Sequence, residues 1–162
     1  MANNNITYSS FTDSRDGKTY KTVQIGNLIW MAENLDYGGK NGELGVYPRN
    51  GKCVTKYGRL YSRMEAKKSA PTDWRLPKID EWMSLVKKNK WSKIKALTGG
   101  LGYDIGPLFF CNVGEYGCWW SDNIVPKTFD SFYNVYMISN KVSVSCSDNF
   151  HLHSVRYVKD LP

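Results

Sequence analysis

Short runs of β-forming residues, separated by Gly- and Asn-containing turns, open the chain. The dipeptide Asp16-Gly17 predicts a tight turn, and the run Thr19 to Ile25 predicts a strand. Gly26-Asn27 turns the chain again into Leu28-Ile29-Trp30. From Tyr37 to Lys52 the chain is rich in Gly and Asn and contains Pro48, which predicts a loop. Leu60, Met64 and Lys68 fall at helical spacing around Ala66, predicting a helix from Leu60 to Lys68 that Pro71 stops. A second helix is predicted after Pro77. Asp80 and Glu81 sit where the helix dipole favours acids, and Ile79, Trp82, Met83, Val86 and Lys90 follow the 3.6-residue period. Gly99-Gly100 and Gly102 end that pattern. Tyr133 to Ser139, Val142 to Cys146 and Ser154 to Lys159 read as strands, with Asn140-Lys141 as the hairpin turn between the first two. Two helices within a β-rich chain predict a compact α+β domain spanning residues 11–162, preceded by a flexible segment over residues 1–10.

Composition agrees with one globular domain. The 162 residues are 41% hydrophobic, 14% aromatic and 23% charged, which is too apolar and aromatic for a disordered chain. No apolar run approaches the ~20 residues a membrane helix needs, so no direct membrane insertion is expected. Met1-Ala2-Asn3-Asn4-Asn5 lacks the basic start and apolar stretch of a signal peptide. The net charge of +7 is local, with 14 basic and 4 acidic residues between Arg49 and Leu97. No zinc finger, RNA-binding aromatic signature or continuous basic helix accompanies this excess. It reads as a solvated face, and no nucleic acid partner is expected.

Recognisable reactive chemistry is absent. Cys53, Cys111, Cys118 and Cys146 form no Cys-x-x-Cys pair, and the only histidines are His151 and His153, so a structural zinc site is not expected. Two disulfides remain open by number, with three possible pairings. Phosphate-loop, dinucleotide, nucleophile-elbow and metalloprotease motifs are all missing. Asp80-Glu81 is better explained as a helix start than as a glycosidase pair. Trp120-Ser121-Asp122-Asn123 is too sparse in oxygen ligands for a calcium loop. These absences favour a binding module over an enzyme, with no cofactor, no metal and no catalytic residue.

One ordered set of strings stands out. Asp16-Gly17-Lys18-Thr19-Tyr20-Lys21-Thr22-Val23 leads into Ile25-Gly26-Asn27 and Trp30-Met31-Ala32-Glu33-Asn34-Leu35. Tyr57-Gly58-Arg59-Leu60-Tyr61, Trp74-Arg75-Leu76-Pro77, Glu81-Trp82, Trp119-Trp120-Ser121 and Ser154-Val155-Arg156 follow. In order and spacing these resemble the Fibrobacter succinogenes major paralogous domain, from about Phe11 to Asp160. The resemblance implies a C-type lectin-like fold with two helices and a mostly antiparallel, twisted β-sheet core, in which Trp30, Trp74, Trp82, Trp119 and Trp120 anchor the interior. Members commonly carry a Cys before Pro-x-x-Trp and another in a closing Val-Arg-Cys-Val. Ala70 and Tyr157 stand there instead, so both halves of that bridge are missing. Cys53 matches a family cysteine whose usual upstream partner has no counterpart between Gly45 and Asn50.

The same implied fold carries the variable proteins of diversity-generating retroelements. Their adenine-directed mutagenesis writes codons that cannot specify Met, Trp, Lys, Gln or Glu. Those types make up about a fifth of this chain, yet Val142 to Val155 contains none. With Tyr133, Val135 and Met137 facing inward on a strand, Asn134, Tyr136 and Ile138 face outward. Ser143, Ser145, Asp148, Phe150 and His151 join them, and Tyr116, Cys118, Asp122 and Asn123 lie on the preceding loops. Aromatics mixed with small polar residues resemble a paratope. The sequence therefore predicts a receptor-recognition domain with a variable C-terminal surface, displayed on a cell, pilus or phage. Its expected ligand is a protein or glycan, and its expected location is extracellular or on the cell surface. The alternative is a carbohydrate-binding or structural accessory module of a polysaccharide-degrading bacterium. A third reading, an enzyme related to the formylglycine-generating enzyme, requires a redox pair from Cys111 and Cys118.

Overall fold

The computed structural model describes residues 6–50 and 52–162. Strands β1 (Thr7–Thr12), β2 (Thr19–Ile25) and β3 (Leu28–Met31) form a meander. A ribbon of β4 (Arg49–Asn50) and β5 (Lys52–Cys53) follows, then helices α1 (Arg63–Lys68) and α2 (Ile79–Lys87). The rest is β6 (Leu101–Asp104), β7 (Leu108–Cys111), β8 (Tyr116–Ile124), β9 (Phe132–Ile138), β10 (Lys141–Ser147), β11 (His151–Leu152) and β12 (Val158–Asp160). Every strand pairing is antiparallel. The larger sheets run β1-β2-β3-β12, β10-β9-β8 and β11-β6-β7.

Local chemistry accounts for the boundaries. Gly26 takes a φ of 65°, which lets β2 turn back into β3 with no Cβ penalty. Ser62 caps α1: its hydroxyl accepts from Glu65 N, while the Glu65 carboxylate accepts from Ser62 N at 2.8 Å. At α2 the Glu81 carboxylate accepts from Lys78 N, and Asn123 Oδ1, reaching across from β8, accepts from Ile79 N at 2.8 Å. The β9–β10 turn is Ser139-Asn140, both at positive φ, one residue earlier than expected because Ile138 pairs directly with Lys141.

The interior is two clusters divided by β8. Trp119 and Trp120 are adjacent, so the pleat sends their side chains to opposite faces. Trp119 joins Trp30, Trp82, Val135 and Val158. Trp120 joins Tyr61, Trp74, Leu76 and Tyr157. In the first cluster Trp82 of α2 lies 5.0 Å from Trp30 and 6.2 Å from Trp119, close enough for edge and tilted contacts. In the second, Tyr157 donates a hydrogen bond to the Ala66 carbonyl at 2.6 Å, and Ala70 packs against the same cluster. A buried tyrosine thus fills the region where the resemblance would place a bridge.

The architecture corrects the expected α+β, C-type lectin-like fold. The protein is mostly β, with about 40% strand and 14% helix. The region expected as a nine-residue helix begins with Leu60 and Tyr61 in β-bridges to Val46 and His153, so only Arg63–Lys68 is helical. Met64, at helical spacing from Leu60, is 75% exposed, and the helix buries Arg63 and Ala66. Segments that gave no clear signal, Leu101–Asp104 and Leu108–Cys111, are strands. Of the expected flexible segment, residues 1–5 lie outside the described residues, and Thr7–Ser10 belong to β1. The loop from Tyr37 to Lys52 ends in the small β4–β5 ribbon, and its Gly51 lies outside the described residues.

Candidate functional site

The recognisable strings converge on buried Asn34. Its Oδ1 accepts from Trp119 Nε1 at 3.0 Å and Arg156 Nε at 2.7 Å. Its Nδ2 donates to the carbonyls of Tyr57 at 2.8 Å and Leu97 at 3.2 Å. Arg156 is fully buried and donates further to the carbonyls of Met31, Ile94 and Lys95. Burial disfavours its charge and lowers its pKa. The carbonyl oxygens around it replace the water it has lost, so the guanidinium stays ionised. This network ties five segments together, and Asn34, Tyr57 and Leu97 also line a cleft apart from the aromatic surface. Its job is scaffold.

The surface candidate lies on the β8–β9–β10 sheet. Cross-strand partners share a face, so Tyr116, Cys118 and Trp120 lie with Ile138, Tyr136 and Asn134, and with Lys141, Ser143 and Ser145. The opposite face carries Trp119, Val135, Met137 and Val142 into the core beneath α2. Coverage of the first face changes along its length. At the Tyr116 end it is open: Tyr116 and Tyr136 stack at 5.7 Å and 12°, beside exposed Ile138. At the Trp120 end the returning chain covers it, with the His153 ring packed at a tilt on Trp120 at 4.3 Å.

The second sheet extends the open end. Phe109, Tyr103 and His151 are direct cross-strand neighbours in β7, β6 and β11. Tyr103 lies 4.7 Å from His151, whose Nδ1 is 2.7 Å from Asp148 Oδ1. Burial would raise the Asp148 pKa, but hydrogen bonds from His151 and the Phe150 amide hold it below the usual carboxylate value. Burial raises the phenol pKa values of Tyr103 and Tyr116, reinforced by their neighbours Cys118 and, for Tyr116, Tyr136. Both therefore stay neutral hydrogen-bonding groups at neutral pH. The two sheets meet at a bridge between Gly100 and Gly117, where a Cβ on Gly117 would overlap the Trp119 ring.

The expected site residues divide accordingly. Tyr116, Tyr136, Ile138 and Ser143 share the open sheet end, with exposed Ser145 further along β10. Asp148, Phe150 and His151 line the neighbouring loop and strand. Three expectations are corrected. Tyr116, Cys118, Asp122 and Asn123, expected on loops, all lie in strand β8. Cys118, expected at the surface, is buried, and burial raises its thiol pKa. Asn134, expected outward by alternation, is 1% exposed, because the return of His153 covers this part of the face. Its Nδ2 lies 2.5 Å from Ser147 Oγ and 3.2 Å from His153 Nε2. Asp122 and Asn123 serve the framework at the far end of β8: Asp122 accepts from Arg63 at 3.3 Å, and Asn123 holds the start of α2. Phe109 and Tyr103 were not anticipated. Tyr103 lies in a run, Leu101-Gly102-Tyr103, that is broken by glycine, and Phe109 lies in the four-residue β7, which shows no alternation.

Other chemistry is sparse. All four cysteines are free, Cys111 exposed and Cys118 buried. Among the described residues no group of three His, Cys, Asp or Glu is placed to hold a metal ion. Clefts of about 260 and 250 Å³ open elsewhere, one beside Lys18, Glu33 and Tyr57, the other beside Phe11, Trp74 and Lys159. Neither includes an expected site residue.

A β-rich frame tied by buried polar side chains, with an aromatic surface on its later strands, defines a small scaffold domain. The chain belongs to the Fibrobacter succinogenes major domain family, whose model matches residues 23–104. No curated protein and no solved structure matches the chain. The family match spans β3, both helices and β6 but, of the aromatic surface, includes only Tyr103.

Proposed function

We propose that this domain is a non-enzymatic ligand-binding module that recognises a protein or glycan at a cell surface. Its binding surface is the open aromatic face of Tyr103, Phe109, Tyr116, Tyr136 and His151. The observation that carries this reading is the pair of ring arrangements, Tyr103 on His151 and Tyr116 on Tyr136, on adjoining sheets. Rigid aromatic groups offer contact area at low entropic cost, and the Tyr hydroxyls and Ser143 supply adaptable hydrogen bonds. The buried polar groups Asn34 and Arg156 are spent on the frame.

A glycan array and a display library of bacterial surface proteins test this together. Binding that Tyr103→Ala or Tyr136→Ser abolishes while Met64→Ser leaves it intact supports the reading. Binding insensitive to both aromatic variants refutes it. Selective capture of plant polysaccharide would favour the accessory-module alternative.

A narrower reading is a variable protein of a diversity-generating retroelement, displayed on a cell, pilus or phage. It is supported by the restricted composition of residues 142–155, where Val144, Ser145, Cys146, Asn149 and Phe150 are exposed. The same stretch holds Ser147 and Leu152 to Val155 in the interior, so tolerated variation would concentrate before His151. The test is genomic. A nearby copy of the 3′ coding end, differing only at adenines, must accompany a reverse transcriptase gene, and its absence excludes this reading.

A further inference from the structure

Strand β10 is the outer strand of its sheet, and its pairing with β9 determines which backbone groups point away. The two-residue turn makes Ile138 and Lys141 a hydrogen-bonded pair, so Ser143, Ser145 and Ser147 also bond inward to β9. Val142, Val144 and Cys146 therefore aim their N–H and C=O groups off the edge. Among the described residues these six groups have no backbone partner. Natural edge strands are usually guarded by proline, a bulge, charge or brevity. β10 has seven residues in unbroken register, no proline, and a single charge, Lys141, at its start. Val144 and Cys146 are exposed along it.

We propose that β10 pairs with β10 of a second copy of this chain, antiparallel, about a two-fold axis through Val144. The inference stands apart from the ligand reading. Centred on Val144, Val142 meets Cys146 of the second copy and Val144 meets its own mate, so all six exposed groups are paired. An axis at Ser143 would set Cys146 against the Asn140 turn, and one at Ser145 would carry Val142 past the strand end. Each leaves one outward residue unmatched. The chosen register also sets Lys141 opposite Ser147 and next to Asp148 of the second copy, at both ends, so charge is complementary. The product is one continuous six-stranded sheet with the two Tyr116–Tyr136 faces on the same side. A contact built on one strand pair falls below the size of a permanent interface, so the dimer is reversible and concentration-dependent.

Sedimentation equilibrium of the full chain under reducing conditions, over a series reaching ~1 mM, tests the pairing. The expected result is a monomer–dimer equilibrium that Val144→Lys and Val144→Pro each weaken about tenfold or more, with unchanged circular dichroism. The outward N–H removed by proline is not part of the internal ladder, so folding should survive. Cross-linking provides a second measurement that does not depend on proline. In a background with Cys53, Cys111 and Cys146 replaced by Ser, Val144→Cys should oxidise to a covalent dimer, whereas Ser143→Cys, which would face Ser145, should not. A monomer throughout, a dimer that survives both Val144 variants, or equal cross-linking at the two positions would overturn the proposal.

Discussion

Replacing Asn34 by Ala tests the buried network directly. Asn34, Trp119 and Arg156 are 5%, 0% and 0% exposed, so little water can reach their polar atoms to replace the amide. The substitution strips the acceptor from the Trp119 indole N–H and from one charged Arg156 N–H, and the donor from two carbonyls. An unsatisfied buried neutral group costs about 1–3 kcal/mol, and a charged donor costs more. Arg156 keeps its bonds to Met31, Ile94 and Lys95, which limits its share. The sum is about 4 kcal/mol, a large part of the 5–15 kcal/mol typical of a domain. In a urea melt with an m-value of about 2 kcal/mol/M, the midpoint should fall by about 2 M at unchanged m. Asn41→Ala, at an exposed loop position, should change the unfolding free energy by less than about 0.5 kcal/mol. A loss below about 1 kcal/mol for Asn34→Ala would mean that the amide is not the shared partner of Trp119 and Arg156, and the scaffold argument would fail.

Two more outcomes follow from buried groups. His153 is fully buried with Nδ1 unpartnered, and burial lowers its pKa to about 3 from an ordinary 6.5. The unfolded chain therefore takes up the proton first, and stability present above pH 6.5 is lost as pH falls toward 3, at up to about 1.4 kcal/mol per pH unit. Thermal melts across that window should show this slope in the wild type and a flatter one in His153→Gln; equal slopes would remove His153 as the cause. Gly117→Ala pushes a methyl group into the Trp119 ring and should cost about 1–3 kcal/mol, read as a lower Tm, whereas an unchanged Tm would refute the close approach.

Much of the frame was legible in the residues. The turns at Asp16-Gly17 and Gly26-Asn27, strands β2, β3, β9 and β10, and helix α2 carry local signals, because turn chemistry and β-branching act over a few neighbours. The first helix was overextended because Leu60 satisfies a helical spacing equally well while bridging Val46. β6 was missed because Gly102, where a Cβ would crowd Leu152 and Phe110 at 3.2–3.3 Å, interrupts its pattern, and β7 because its four residues show no apolar–polar alternation. The candidate surface was half legible. Alternation correctly separated Val135 and Met137 from Tyr136 and Ile138.

From the chain alone came the turns, five of the twelve described strands, the Trp-rich interior and the family, since each rests on short-range pattern or on ordered strings. Which part of a sheet face stays open was a tertiary decision. Asn134 and Tyr136 point the same way from one strand, yet His153, nineteen residues beyond Asn134, returns to cover the first and leaves the second at the surface. Pleating assigns a side chain to a side, but only segments distant in sequence determine whether that side meets water.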